Sequence, residues 1–547
     1  MNKWQVLHSF KRQEELTVDK LIEVLLNNRG IKKVVDIKEF LNGDLSEITV
    51  KSVGINPVQL AKAIKRVETA NKKNQTIVIY GDYDVDGICA TAILWEMLYG
   101  INKKAIPYIP HRVDEGYGLS IAGINSVLEK FPEVKLIITV DNGVVAFEAV
   151  EYAKSMGIDV VITDHHSKDK KLPDADAVIH TSELCGAGVS YVFAQVLKKN
   201  KEFDEEGLEL VALATVADCV PLLKTNRILL KEGIEQIKTT KRLGLIELLN
   251  LAGISPQNIG VYEIGHIIAP RLNSTGRIAS ALDSLRLLCT KDANRAKMLA
   301  QVLNDSNKER QMMTEESTQH AMSMVNEDMY TKKILVIAHE SYNQGVIGLI
   351  AARMVERYYL PSLVLSIGEK FAKGSARSVK NINIIELIRS VSEHVVQAGG
   401  HPMAAGFTIE IAKIEIFRKA LEEKAAALIT GDSLQKTLVI DALLPFSFIT
   451  QEVYKKLNYL SPFGIGNPTP VFATESVNIS EIRTMGKTNT HLKLVVEQDG
   501  VMFEAVAFNG AEKYKYSTGD TIDIAYTVDF DTWHGKNKVV LKVKDIN

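Results

Sequence analysis

Three short β-branched runs constrain the fold of this chain more than any other feature. TIVIY at Thr76–Tyr80, LIITV at Leu136–Val140 and DVVIT at Asp159–Thr163 are almost wholly apolar, and helical stretches separate them, the first from about Ile88 to Tyr99. Strands that are apolar on both faces have to be covered on both faces, and their alternation with helices is the punctuation of a parallel α/β sheet. In such sheets ligands collect at the carboxyl ends of the strands. Each run here is followed at once by acidic or histidine residues, GDYDVDG, DNG and DHH, so one crevice gathers all three.

The rest of the 547 residues exceeds what one core can hold, and ordinary domain sizes predict about three or four folding units. Between Asp283 and Asp328 the chain is charged and poor in breakers, with Leu285, Leu288, Leu299 and Leu303 at helical spacing, which predicts one long connecting helix. A second α/β segment begins at KKILVIAH (Lys332–His339) and runs to about Ile429. Past Thr430–Ser433, short runs such as HLKLVVEQDG, FEAVAFNG and TIDIAYTVDF alternate with Gly and Asn turns, the spacing of a small β-barrel. The expected organisation is an N-terminal segment 1–70, a catalytic α/β domain 71–235, a helical region 236–328, a second α/β domain 329–430 and a barrel 431–547. No internal repeat is visible.

A net charge of −2 argues against a protein that coats nucleic acid indiscriminately, which needs a large basic surplus, but not against a nuclease whose carboxylates offset a basic groove. The N-terminus MNKWQVLHSFKRQEEL lacks the apolar stretch of a signal peptide, and nothing later has the roughly 20 apolar residues that span a bilayer. A cytoplasmic protein is expected. Cys89, Cys185, Cys219 and Cys289 form no CxxC pair, so neither zinc knuckle nor disulfide framework is expected, only small core residues.

In GDYDVDG, alternation in extended backbone turns Asp82, Asp84 and Asp86 to one side, and Gly87 permits a tight entry to the following helix. Carboxylates this close repel and call for a cation. Taken alone the motif also fits a solvated acidic turn; a calcium loop fits less well, because the acidic residue that closes an EF-hand is missing and a strand precedes it. Asp164, His165 and His166 follow the third strand, and two adjacent histidines beside an aspartate are harder to dismiss than a lone one. With Asp141 and with Asp218 in TVADCVPL, the oxygen-rich set suits Mn²⁺ or Mg²⁺ better than structural zinc. Two such ions, about 3.5–4 Å apart, can bridge a phosphate, lower the pKa of water and stabilise a leaving oxygen.

GDYDVDG, the Asp141 motif, DHH and TVADCVPL resemble motifs I to IV of the DHH phosphoesterases, in the same order. GYGLS, CGAGVSY, PRLNSTGRI, LNDSNKERQ, GVIGLIAAR, KGSARS, GGHPMAAG and SPFGIGNPTPVF extend the resemblance to the RecJ exonucleases, from about residue 75 to the end. The resemblance implies a DHH catalytic domain, a DHHA1 domain and an OB-type barrel, and a single-strand-specific 5′→3′ exodeoxyribonuclease of DNA repair and recombination that releases 5′-mononucleotides. It implies Asp84, Asp86, Asp141, His165 and Asp218 as ligands of two ions, Asp82 as a ligand or a carboxylate behind one, and His166 against the scissile phosphate.

Arg112, Arg277, Ser375, Arg377 and His401 match positions that hold the 5′-terminal phosphate or nearby backbone; guanidinium groups bind phosphate bidentately, although an isolated arginine is more often a surface ion pair. In the barrel Phe508, Tyr526, Phe530 and Trp533 are candidate stacking platforms and Lys487, Lys493 and Lys536 candidate phosphate partners, against the alternative that half of a barrel's side chains face its core. Single-stranded DNA is the implied partner, with a helicase and a single-strand-binding protein as candidates, the chain itself being monomeric. Two departures stand out: His180-Thr181 where the pattern has Asn-Pro, and Tyr342 where Trp is common. The chain stops after the barrel, so the further C-terminal domains of longer relatives are not expected. The competing readings are a DHH phosphodiesterase of short oligoribonucleotides or cyclic dinucleotides, and an inactive repair scaffold; the barrel speaks against the first and the intact ligand set against the second.

Overall fold

The structure, a computed structural model, describes residues 2–10, 16–111, 115–199, 203–278, 280–531 and 538–547. A short strand β1 (Lys3–Val6) and helices Val18–Asn28, Val34–Asn42 and Pro57–Lys72 lead into the first sheet. Its strands β2 (Thr76–Tyr80), β3 (Ala105–Tyr108), β4 (Val134–Val140), β5 (Asp159–Asp164) and β6 (Ala177–His180) stand in the order β3-β2-β4-β5-β6, every neighbouring pair parallel. All five residues of β2 are buried, as a run apolar on both faces requires. The helix after it, Val85–Ile101, is apolar around most of its circumference and sinks into the core between the sheet and helices Gly186–Leu197 and Leu208–Ala217.

The long connecting helix starts later than its leucine spacing predicts. Leu282–Cys289 is one helix and Ala293–Ser323, 31 residues, another, followed by a short Glu327–Thr331. The break falls at Thr290–Asp292. There the Asp292 carboxylate accepts the Arg295 amide at 2.8 Å, and the Thr290 hydroxyl accepts the Asp292 amide at 3.2 Å. Such short polar side chains favour caps over helix interiors, and here they restart the helix.

The second domain holds β7 (Leu335–His339), β8 (Ser362–Ile367), β9 (Phe371–Arg377), β10 (Gln397–His401) and β11 (Ala404–Glu410) in the order β10-β11-β9-β8-β7, parallel only between β7 and β8. Past β12 (Thr437–Ile440) and β13 (Ala442–Leu443), the strands β14 (Phe472–Met485), β15 (His491–Gln498), β16 (Val501–Ala507), β17 (Thr521–Asp531) and β18 (Lys538–Ile546) close into a barrel through the β14–β17 pairing.

The described residues up to 70 divide between two cores. Leu21, Leu25, Leu26 and Phe40 pack with the barrel, to which β1 is also tied by parallel pairing with β12, whereas Leu60, Ala63 and Val67 pack under the first sheet. Arg227 joins these pieces. Only 1% exposed, it donates to the carbonyls of Phe40 (2.7 Å), Ser461 (2.5 Å) and Pro462 (3.3 Å), and its guanidinium lies 3.9 Å over the Phe40 ring. Burial among carbonyls lowers its pKa to about 10.

Of the cysteines, Cys89 and Cys185 are buried as expected; Cys219 is exposed, because it follows the end of helix Leu208–Ala217 in the left-handed region, at φ 57°.

Candidate active site

The first three carboxylates reach a common point by a different route from extended alternation. The chain turns into a helix straight after Tyr83: Asp84 caps it, accepting the Gly87 amide at 3.1 Å, and Asp86 lies in its first turn. Asp82 is left beneath, in the loop. A Cβ on Gly87 would sit 2.6 Å from the Asp82 Cβ, so this approach needs glycine. Asp141 follows β4 at φ 63°, a conformation that costs a non-glycine residue energy and is held by its amide donating to the Thr163 carbonyl at 3.0 Å. The start of helix Gly186–Leu197 closes on both groups. The Gly186 and Ala187 amides donate to Asp86 at 2.7 and 2.6 Å, and a Cβ on Gly186 would lie 2.5 Å from the Asp141 Cβ.

From β5 comes His165. Its Nε2 lies 3.0 Å from Asp141 Oδ1, 3.6 Å from Asp86 Oδ2 and 3.7 Å from Asp218 Oδ2, the last carried in at the end of helix Leu208–Ala217. Ligand-bearing atoms of Asp82, Asp84 and Asp141, of Asp86, His165 and Asp218, and of Asp141, His165 and His166 form three overlapping sets, each compact enough to hold a cation. Asp141 Oδ1 and His165 Nε2 are buried and face each other without a hydrogen-bond partner. A lone pair against a carboxylate oxygen is repulsive unless a proton or cation lies between them, so the donor set fits a divalent metal centre.

Behind this set, Asp164 accepts the His166 Nδ1–H at 2.8 Å and the Val144 amide at 2.9 Å. Tyr117 Oη meets His166 Nε2 at 3.0 Å, and His180 Nε2 donates to the His166 carbonyl at 2.8 Å. Tyr117 stands in GYGLS and His180 in the departure from Asn-Pro, so both carried a sequence signal, but nothing in the sequence says that they converge on one histidine.

The electrostatics follow from burial. Burial first, then Asp218 and Asp84, pushes Asp86 up to about 8; burial and Asp86 push Asp141 well above the carboxylate range; burial and Asp84 push Asp218 to about 6. Burial and His166 pull His165 down to about 4. Burial opposes charge on His166 too, but the Asp164 hydrogen bond outweighs it and raises that ring to about 9.

These shifts make a prediction for the chelated protein. Above about pH 6.5 an unfolded histidine no longer binds protons and His165 drops out. Asp86 and His166 then hold more protons folded than unfolded, so stability falls as pH rises towards 8 and 9. A divalent cation replaces the proton on Asp86 and removes that part of the penalty, while His166 keeps its own. Melting curves with chelator or Mn²⁺ should therefore diverge more at pH 8 than at pH 6.5; an equal gap at both would contradict this linkage.

In the second domain, Arg377 Nη1 donates to the Ser375 hydroxyl at 3.2 Å and to the Ala376 carbonyl at 2.9 Å, while burial lowers the Arg377 pKa. Both side chains border the start of helix Ile347–Tyr358, for a Cβ on Gly348 would lie 3.0 Å from each. His401 is exposed on β10, in the same cross-strand row as Ala404 and Arg377. Arg112, the Arg277 side chain, Trp533 and Lys536 lie outside the described residues.

The barrel corrects part of the sequence reading. Tyr526 is no surface platform: it is fully buried on the inward face of β17, with its hydroxyl 2.7 Å from Thr474 Oγ1. Lys493 is 2.8 Å from Glu504, which also pairs with Lys538, so one carboxylate is shared between two ammonium groups. Phe508 is 59% exposed and Lys487 is exposed in the β14–β15 turn, both open to a ligand. Phe530 stacks on Tyr454 at 5.4 Å.

Comparison with known proteins follows the same division. Family models for the DHH family N-terminal domain, the DHHA1 domain and the RecJ OB domain match residues 76–215, 331–427 and 440–545. A Bacillus subtilis (strain 168) protein named single-stranded-DNA-specific exonuclease RecJ is 34% identical over 547 residues, covering 97% of this chain and 68% of that protein. The Haemophilus influenzae protein of the same name is 31% identical, covering 90% and 92%. The chain belongs to the RecJ family. Among solved RecJ structures, that of the Thermus thermophilus protein in complex with Mn²⁺ superposes with a TM-score of 0.84 at 26% identity, over all of this chain and 79% of that one. The RecJ fold therefore extends through both α/β domains and the barrel.

Proposed function

We propose that this RecJ-family chain is a divalent-metal-dependent exonuclease that removes 5′-mononucleotides from single-stranded DNA. The observation that carries the reading is the convergence of Asp86, Asp141 and Asp218 on His165, with Asp82 and Asp84 gathered beside Asp141 and two facing ligand atoms left unpartnered. Those six residues would hold two Mn²⁺ or Mg²⁺ ions, which when bound polarise the scissile phosphate and lower the pKa of the attacking water. The protein's part is to fix the ligands. The Gly186 and Ala187 amides orient Asp86 and favour its ionised form, and the positive φ at Asp141 aims its carboxylate at His165. His166, charged through Asp164, supplies a cationic donor to the phosphate.

Direction would come from the second domain. Ser375, Arg377 and the amides that open helix Ile347–Tyr358 form an anion site for a 5′-terminal phosphate, with His401 beside it, and the family pattern adds Arg112 and Arg277 to the residues that hold it. Phe508 and Lys487 would meet the strand further along. The protein acts in the cytoplasm as a monomer, with a helicase and a single-strand-binding protein as its partners in repair and recombination; no described helix is long and apolar enough to cross a membrane.

The test of polarity uses strands that differ only in a 5′-phosphate or 5′-hydroxyl. A charge-assisted hydrogen bond is worth about 1.5–3 kcal/mol, so Arg377→Ala should reduce the preference for the phosphate by roughly 10- to 100-fold in kcat/KM. An unchanged preference would remove Arg377 from the clamp, and degradation from the 3′ end would refute the polarity.

A further inference from the structure

Tyr117, the aromatic residue of GYGLS, has no part in the chemistry above beyond its contact with His166, yet the fold holds it more firmly than that contact requires. Gly116 at φ 84° and Gly118 at φ 68° turn the chain on either side of it, in a region that glycine adopts without strain. The turn is pinned at both ends. Before it, the Tyr108 hydroxyl donates to the Glu115 carboxylate at 2.7 Å and the Ser120 hydroxyl to the Glu115 carbonyl at 2.9 Å; after it, the Tyr80 hydroxyl donates to the Gly118 carbonyl at 3.3 Å. A side chain on such a turn has little backbone freedom left, so its ring is aimed before any ligand arrives.

The ring is aimed at the metal-ligand loops. It lies edge-on to Tyr83, between Asp82 and Asp84, with centroids 6.3 Å apart, and edge-on to His166 at 5.9 Å. Its neighbour Gly118 lies against Asn142, the residue after Asp141, for an added Cβ would come within 3.5 Å of the Asn142 Cβ. Tyr117 therefore stands where all three loops meet, although it is 53% exposed and belongs to no hydrophobic core. Burial of the hydroxyl, then the Asp82, Asp141, Asp164 and Asp84 carboxylates, raise its pKa, which keeps it a neutral donor.

His166 fixes what that donor can reach. Its Nδ1–H is committed to Asp164 at 2.8 Å, which leaves Nε2 as the atom that meets a phosphate, and Tyr117 Oη is 3.0 Å from Nε2. Among the described residues no hydrogen-bond partner other than His166 meets that hydroxyl. Nε2 carries a single hydrogen at most. A phosphate oxygen that takes it releases the phenol from the ring while lying beside it, and the hydroxyl then turns to the phosphate.

We infer that Tyr117 is a catalytic residue: its hydroxyl donates, beside His166, to a non-bridging oxygen of the scissile phosphate, and binds it more strongly as negative charge gathers there in the transition state. The inference rests on the 5′-exonuclease reading above and raises the protein's donors at that phosphate from one to two. A donor whose ring is fixed beforehand stabilises developing charge with little reorganisation.

The test compares Tyr117→Phe with the wild-type protein in release of the first nucleotide from a 5′-phosphorylated single strand, with Mn²⁺ and with protein in excess over DNA. Loss of one positioned donor should lower the maximal rate by about 10- to 100-fold and leave the half-saturating protein concentration within about twofold. The same pair of proteins is then given strands with sulfur in place of one or the other non-bridging oxygen at the first linkage, as separated diastereomers. Sulfur accepts hydrogen bonds weakly, so on the diastereomer with sulfur where Tyr117 donates, the penalty of Tyr117→Phe should be at least about fivefold smaller than on the all-oxygen strand. An unchanged maximal rate on the all-oxygen strand would overturn the inference. So would a penalty that is smaller on neither diastereomer, which would mark Tyr117 as a support for His166 alone. Failure of the wild-type protein to release the first nucleotide from the 5′ end of the all-oxygen strand would instead overturn the underlying reading.

Discussion

Asp141→Asn is expected to reduce single-strand cleavage by at least about a thousandfold while raising the melting temperature of the chelated protein. The two effects have one cause. Asp141 is 2% exposed, its Oδ1 lies 3.0 Å from His165 Nε2, and its burial beside Asp86, Asp84 and Asp82 pushes its pKa far up. Without a cation this crowding disfavours the folded state, so an amide of the same shape relieves it; with a cation the lost negative oxygen is the one that two ligand sets share. Single-turnover cleavage and melts in chelator report both. Activity within tenfold of wild type would remove Asp141 from the centre, and a fall in the chelated melting temperature would mean that its carboxylate stabilises the fold.

Arg227→Met should cost about 3–5 kcal/mol of unfolding free energy, the largest stability effect expected away from the metal cluster. The substitution removes the donor that the Phe40, Ser461 and Pro462 carbonyls share, of which Pro462 keeps the Asn467 amide at 2.9 Å, and loses the contact with the Phe40 ring. These carbonyls belong to the N-terminal helices and to the entry of the barrel, so the first α/β domain should lose its hold on both, and Arg227→Lys should recover only part, since an ammonium cannot span three acceptors in a plane. Denaturant unfolding measures the change. A loss below about 1 kcal/mol would show that the barrel is held in place by its apolar contacts instead.

What could be read from the sequence, and what could not, separates along local and non-local lines. β2, β4 and β5 were legible because a buried parallel strand leaves a continuous β-branched run, and the residues after each run fixed which side chains would share the crevice. Asp82, Asp84 and Asp86 were legible as a cluster but not in their geometry. Whether the chain after Tyr80 stays extended or turns into a helix depends on Asp84 capping the Gly87 amide, a choice that alternation alone does not reveal. The restart of the connecting helix at Ala293 was written in Thr290 and Asp292, but leucine periodicity runs across the break and hides it.

Contacts between distant segments left no local trace. Gly186 meets Asp141, the amides of Gly186 and Ala187 hold Asp86 about a hundred residues away, and Arg227 binds carbonyls from both ends of the chain. Tyr526 misled because an aromatic on a barrel strand looks the same from sequence whether it faces in or out. The register of β17, which puts its hydroxyl against Thr474, decides the matter.

The most direct measurement is digestion of single-stranded DNA labelled at either end, with Mn²⁺, Mg²⁺ or chelator, beside a duplex of the same sequence. The ligands around His165 predict complete dependence on the divalent cation, and the RecJ-type reading predicts release of mononucleotides from the 5′ end of the single strand and resistance of the blunt duplex. Cleavage that persists in chelator, or no cleavage with either metal, would contradict it.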